Sequence, residues 1–498
     1  MRQGMSNALL SRVLIFAVWT LLLTPPNGVT SATTTWATIK ASTSDQIIEA
    51  FWTASRTGTP TTIEVAPGHY TFVQSFDTGV GPSVLPPVTS TVFVVGTDVG
   101  STILDAFRAD GRIFTVKKGG WLVVRNMTLT HGGFTADDVS VGGGAAANFG
   151  GSLRLDDCLL IASGTGAADG ALGGAVLSKD GRLHLERVTI MNNAVDGCGG
   201  GVAVVGGRGG IIRDSIISGN EARSLGAMCG GGVYVDEATV TITGSTVSGN
   251  RAYRTGGGIL NAGTIWLTDS AVTENVASDP GHFSYGGGIA NFGLMRTMNA
   301  TVAANSAGTF GGGMYNVGRL FSRGTTIVRN EVYGDVGGSG CDPELGPCFG
   351  GGGVWNAEGG TVSSARSIFA NNSIPVYEPL PPLNLVVSVG PDCAGPTLSE
   401  GFNALGDVSG CDLRPSWVLH GLPTHDLVGV DPSLGELQDS GVAGNAHFPL
   451  LGQSPLIDAG GRISNNCTTF DQIGQPRVDG DGDRLRECDI GAIEYQLP

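Results

Sequence analysis

Charge is scarce in this chain. Asp, Glu, Lys and Arg together make up 14 % of it, against about 25 % in ordinary soluble domains, so long solvated helices with charged faces are not expected. Positive charge is scarcer still: 28 Lys and Arg face 44 Asp and Glu, a formal net charge of −16. A surface that acidic repels phosphate backbones and anionic lipid, which argues against nucleic acid and electrostatic membrane docking as partners. Beyond the N-terminus no apolar run approaches the ~20 residues that a membrane-spanning helix needs. Glycine is abundant, at 82 of 498 residues, but no Gly-X-Y period accompanies it, which excludes collagen. With 41 % hydrophobic residues the chain can fill a core, so disorder is excluded too.

The N-terminus sets the compartment. Arg2 and Arg12 precede the apolar run Val13–Leu23, then come Pro25, Pro26 and the small residues Thr30, Ser31 and Ala32. This is the layout of a cleaved export signal, expected over residues 1–32. Nine cysteines in an exported chain imply disulfides with one thiol left over.

Repetition carries the fold. Glycine tracts begin at Gly199, Gly230, Gly256, Gly286, Gly311 and Gly351, and the last four extend to GGGILNAG, GGGIANFG, GGGMYNVG and GGGVWNAEG, placing Asn261, Asn291, Asn316 and Asn356 alike. A second string follows each tract and ends at Asn220, Asn250, Asn275, Asn305, Asn330 and Asn372. From tract to that asparagine the steps are 21, 20, 19, 19, 19 and 21 residues. From asparagine to the next tract, starting at Asn192, they are 7, 10, 6, 11, 6 and 21. One corner of each repeat accepts insertions and the rest does not. A unit of about 25 residues with short apolar runs cannot bury its own hydrophobic side, whereas stacked coils pair each strand with its copy about 4.8 Å away. The expected fold is all-β: a right-handed parallel β-helix of about ten coils over residues 61–372. The asparagines are expected to form buried ladders, not catalytic groups.

Residues 33–60 are expected to form an N-terminal cap, with a helix near 42–58 N-capped by Ser44 or Asp45 and Ile47, Ile48, Phe51 and Trp52 turned to the first coil. A proline-rich connector, 373–391, leads to a separate C-terminal unit, 392–498. Stacking brings Cys198 and Cys229 within disulfide reach. Cys341–Cys348 closes the largest insertion, and Cys393–Cys411 with Cys467–Cys488 is the preferred pairing in the tail. Cys158 is left as a buried thiol in the position that Ser215 and Ser245 hold in later coils.

The GGGIxN and SxVxxN strings resemble the repeats of polymorphic outer-membrane proteins and of bacterial pectin-lyase-like β-helices. SPLIDAG (Ser454–Gly460), CTTFDQIGQPRVDGDGD (Cys467–Asp483) and CDIGAIE (Cys488–Glu494) are similar to the choice-of-anchor Q domain of exported β-helix proteins. The resemblance implies a fold and a secreted or cell-surface location of bacterial type; the group has no single activity.

Two functions follow from the residues. All the large insertions leave one corner, so they should line up as a rim carrying Arg251, Tyr253, Arg254, Asp279, His282, Tyr285, Tyr333 and Asp335, together with Phe283, Phe310 and Phe349. Exposed rings stack on sugars or anchor protein partners, which gives a non-catalytic, adhesin-like protein that contacts a glycan or a surface protein. The alternative is a polysaccharide-active enzyme, a lyase or glycoside hydrolase on the same rim. The NTD, GHG and RIK strings of galacturonan hydrolases are absent, and neither Asp137-Asp138 nor Asp156-Asp157 is echoed in a neighbouring repeat. Finally, Asp479, Asp481 and Asp483 alternate as calcium-loop ligands do, with Glu487 downstream, although Ile490 stands where an EF-hand has its bidentate glutamate. Calcium is the one cofactor candidate.

Overall fold

The structure, a computed structural model, describes residues 36–496 apart from 137–141, 168–169, 225–227, 280–281, 335–348, 375–387, 416–424, 463–466 and 479–486. The expected export signal and most of the proline-rich connector lie outside the described residues, and no described helix is long and apolar enough to cross a membrane.

The body is a parallel β-helix. Val233–Thr243 pairs in parallel with Ile259–Thr273, which pairs with Ile289–Asn291 and Leu294–Ala303, and these with Met314–Asn316 and Arg319–Val328. Inward positions alternate with outward ones, as a strand requires: Ile265, Met295, Leu320 and Val362 stack in register and are buried. A corner ladder of short strands runs through Gly133–Ala136, Gly164–Ala167, Ala194–Val195, Glu221–Ala222, Arg251–Ala252, Val276–Ala277, Ser306–Ala307 and Glu331–Val332.

The glycine tracts open each corner. Gly256, Gly286, Gly311 and Gly351 hold φ of 63°, 65°, 66° and 61°, the left-handed region that disfavours any residue with a Cβ. The next glycine meets the coil above: a Cβ on Gly257 would stand 2.3 Å from the Gly287 carbonyl oxygen. Buried asparagines then tie coil to coil. Asn275 Nδ2 donates to Asn305 Oδ1 at 2.9 Å, and Asn305 Nδ2 to Asn330 Oδ1 at 2.9 Å. A second ladder joins Asn261, Asn291, Asn316 and Asn356 at 2.7 Å per step. The first ladder ends at Asp392, whose Oδ1 accepts from Asn372 Nδ2 at 2.8 Å. A carboxylate suits that end, because no further side-chain amide has to be supplied with an acceptor.

The ladder outruns the expected 61–372 at both ends. Strand β1 (Ala37–Ala41) precedes helix α1 (Ser44–Thr57) and pairs with β2 (Thr61–Val65). The helix N-cap is Thr43, not Ser44 or Asp45: its hydroxyl accepts from Gln46 N at 3.2 Å. Ile47, Ala50, Phe51 and Ala54 bury one helix face, with Phe51 5.8 Å from the Phe114 ring. At the other end, Cys393–Gly401 pairs with 354–355, 362–365 and 410–415, and Ala404–Leu405 with 368–369 and 427–428. Residues 393–415 and 427–428 therefore continue the coils and do not begin a separate unit. Only later does the chain turn back along the flank, where Gly444 N donates to Thr246 Oγ1, Asn299 Nδ2 to Phe470 O and Ala492 N to Thr326 Oγ1. Phe448, Leu450, Leu456 and Ile490 share a core with Ala303, Val328 and Ile368 there.

Among the described residues the disulfides are Cys198–Cys229, Cys393–Cys411 and Cys467–Cys488. Cys341 and Cys348 lie outside the described residues. Cys158 is free and buried, and burial pushes its pKa up to about 12, so it is inert as a nucleophile.

Candidate functional site

The corner rim is built mostly to pack on itself. Asp279 is held between Arg254 Nε and His282 Nδ1, each 3.1 Å from its Oδ2. Tyr285 and Phe310 stack with ring centroids 6.0 Å apart, Phe283 lies 6.4 Å from both, Tyr285 is 4.8 Å from Tyr315, and Phe310 is 4.3 Å from Trp355. All these rings are half-buried, and burial raises the Tyr285 pKa. Phe349 is buried, not on the surface as expected. Tyr253 and Tyr333 are half-buried and Arg251 is exposed. Asp335 lies outside the described residues. So do Asp479, Asp481 and Asp483; Glu487 pairs with Arg462 in an isolated antiparallel bridge.

The Asp156 expectation is corrected by register. Asp156 stands beside Arg125 in one coil and Glu186 in the next, and the donor atoms of Asp156, His184 and Glu186 lie within 4.8 Å of one another. Carboxylates about 5 Å apart suit retaining glycoside hydrolysis, but these are already satisfied. Arg154 Nε reaches Asp156 Oδ1 at 2.7 Å and Arg125 Nε reaches Oδ2 at 2.9 Å. Arg154 Nη2 and Arg187 Nη1 take the two Glu186 oxygens at 2.7 and 2.6 Å. The Asp156 side chain is 3 % exposed. Burial pushes the Glu186 pKa up, and the arginines outweigh it and hold it below its ordinary value. Burial, then Arg154, lowers the His184 pKa. A cation there would have to displace three guanidinium groups, so the cluster reads as a charged ladder, not a metal or catalytic centre. Asp137 and Asp138 are outside the described residues.

What the sequence reading missed is a groove of about 440 Å³ on an outward strand face, lined by Trp266, Arg296, Met298, Phe321, Arg323, Ser363 and Glu400 among others. Trp266, Arg296, Phe321 and Ser363 occupy the same register position in successive coils, so the row spans about 14 Å at 4.8 Å per step. The Arg296 guanidinium carbon lies 4.8 Å from the Trp266 ring and 5.1 Å from the Phe321 ring; that of Arg319 is 5.5 Å from Phe321. Cation–π contact on both sides fixes the Arg296 head. Arg323 Nη2 meets Glu400 Oε2 at 3.7 Å, whereas Arg296 and Arg319, both exposed, make no ion pair among the described residues. Trp266 is 41 % exposed. On a protein of net charge −16 this is a local patch of unspent positive charge between aromatic faces.

No family model matches the chain, and no curated protein matches it. Among solved structures it is similar to pectate lyase Pel9A, with 14 % identity, 90 % of this chain and 91 % of that one covered, and a TM-score of 0.37. It is also similar to the A-module of the Azotobacter vinelandii mannuronan C-5 epimerase AlgE6, with 14 % identity, 78 % and 95 % coverage and a TM-score of 0.31. Neither likeness adds to the pairing described above.

Proposed function

We propose that this is an exported protein that binds a linear acidic polysaccharide along the groove without cleaving it. One observation carries the reading: Arg296, which forms no ion pair among the described residues, is clamped between Trp266 and Phe321 in the lining of the groove. Aromatic faces take the apolar faces of sugar rings, and a guanidinium takes a carboxylate or sulfate in two parallel hydrogen bonds. Successive rungs about 4.8 Å apart match the rise of an extended pyranose chain, so consecutive sugars meet consecutive coils. The arginine-tied carboxylates at Asp156 and Glu186 favour binding over hydrolysis. In this reading the fold is a right-handed solenoid of about ten coils, α1 caps its first turn, and the disulfides fit an oxidising compartment. The corner rim at Arg251, Tyr253 and Tyr285 serves as a secondary contact surface.

Titration calorimetry against polygalacturonate and alginate oligomers, with neutral xylan oligomers as control and absorbance of unsaturated products and reducing ends followed in parallel, tests this. Binding without turnover is expected, and Trp266→Ala should weaken it about tenfold. Robust product formation, or affinity unchanged by Trp266→Ala, contradicts the proposal.

A further inference from the structure

Arg112 is fully buried, far from the groove in sequence. Its backbone N donates to Pro82 O at 3.1 Å, which seats the side chain inside the N-terminal coils. The guanidinium is sandwiched, its central carbon 4.7 Å from the Phe134 ring and 5.4 Å from the Phe149 ring. Nη1 donates to Val80 O at 2.8 Å and to Thr115 Oγ1 at 3.4 Å. Nε and Nη2 are buried and have no partner, and no carboxylate among the described residues forms an ion pair with Arg112. Those two nitrogens form the side-on edge of a guanidinium, whose parallel N–H groups match the two oxygens of a planar oxyanion. Gly81 packs close to that edge without a side chain: a Cβ there would stand 2.9 Å from Nη2, so any larger residue would crowd it.

A buried guanidinium without counter-charge is among the costliest arrangements a core can hold. Two aromatic faces offset part of that cost, and burial draws the Arg112 pKa down to about 9, yet the group stays cationic at neutral pH. We propose that the Nε–Nη2 edge of Arg112, between Phe134 and Phe149, is a binding site for a small planar oxyanion of the carboxylate or bicarbonate type. The site is separate from the groove and does not depend on the glycan reading. Its ligand is structural: it neutralises the N-terminal coils from within, and the sandwiching rings exclude larger or tetrahedral anions.

The test is the thermal unfolding of the full-length protein in buffer free of carboxylates and carbonate, titrated with acetate, bicarbonate, chloride or sulfate. Acetate or bicarbonate should raise the melting temperature saturably, by on the order of 2 °C at 100-fold excess over the dissociation constant, with chloride and sulfate far weaker. Arg112→Met should abolish the response, and Arg112→Lys, which keeps the charge without the fork, should lose its preference for planar anions. A wild-type melting temperature indifferent to these anions overturns the proposal, as does an equal rise in Arg112→Met. Should a response emerge only in Asp137→Asn/Asp138→Asn, the counter-charge belongs to the chain itself and the proposal falls.

Discussion

Replacing Asn275 by alanine removes a rung from the middle of the longer asparagine ladder. Its Nδ2 donates to Val247 O and to Asn305 Oδ1, both at 2.9 Å, and its Oδ1 accepts from Asn250 N and Asn250 Nδ2, both at 3.0 Å. Asn250 Nδ2 keeps Ile217 O, and Asn305 Oδ1 keeps the backbone N of residue 275. The Asn250 amide keeps nothing and is fully buried. A stranded buried donor costs about 1–3 kcal/mol, and each of the three other lost bonds about 0.5–1.5 kcal/mol. Allowing for non-additivity among neighbours, the loss should be about 4 kcal/mol. Because solenoid coils are coupled mainly to their neighbours, urea unfolding should be read together with amide exchange, which localises the damage to the coils around residues 217–305. Asn445→Ala, which loses one exposed bond to Ser440, is the control and should cost less than about 0.5 kcal/mol. A loss below about 1 kcal/mol in Asn275→Ala, or exchange damage spread evenly along the chain, would refute the reasoning.

Other perturbations have equally definite outcomes. Burial and the neighbouring Glu494 raise the Asp489 pKa to about 8, against about 3.9 unfolded. A raised folded value means stability that is present below pH 4 and lost as pH climbs through 8. Wild-type melting temperature should therefore fall relative to Asp489→Asn between pH 5 and pH 8.5, and parallel profiles would contradict this. Arg296→Gln should weaken binding of acidic glycans and flatten its salt dependence, while leaving the melting temperature within about 2 °C of wild type; unchanged salt dependence in calorimetry would argue against the clamp. Removing Cys198–Cys229 by double serine substitution opens a span of 31 residues and should cost about 3–4 kcal/mol in denaturant unfolding; no measurable loss would mean the bridge is dispensable.

Why part of this was readable from sequence is a matter of periodicity. Asparagines and glycines announce the coils, because a buried amide both donates to and accepts from the next rung of a ladder and glycine tolerates the left-handed corner. At the C-terminal end the same positions are filled by other chemistry. Asp392 replaces the ladder asparagine, and Asn403 accepts from the Ser367 amide where serines had done so, so the signature fades although the coils go on. At the N-terminal end, β1 (ATIKA) is short and only its last residue is buried, with no apolar run to mark it. The groove escaped for a different reason. Trp266, Arg296 and Phe321 are unremarkable outward residues of three strands, 30 and 25 positions apart, and they meet only once register is known. Alignment of the strands on their inward residues Ile265, Met295 and Leu320 would have put the three in one row. For the rim, length of insertion marks where loops leave the coils but does not say whether their rings face solvent or one another.

A crystal structure of the protein soaked with a polyuronate hexamer tests the groove most directly. Sugar rings seated on Trp266 and Phe321, with a carboxylate on Arg296 and the chain running from coil to coil, is the expected result. Density on the Tyr285–Phe310 corner with the groove empty, or a chain lying across the coils instead of along them, would contradict it.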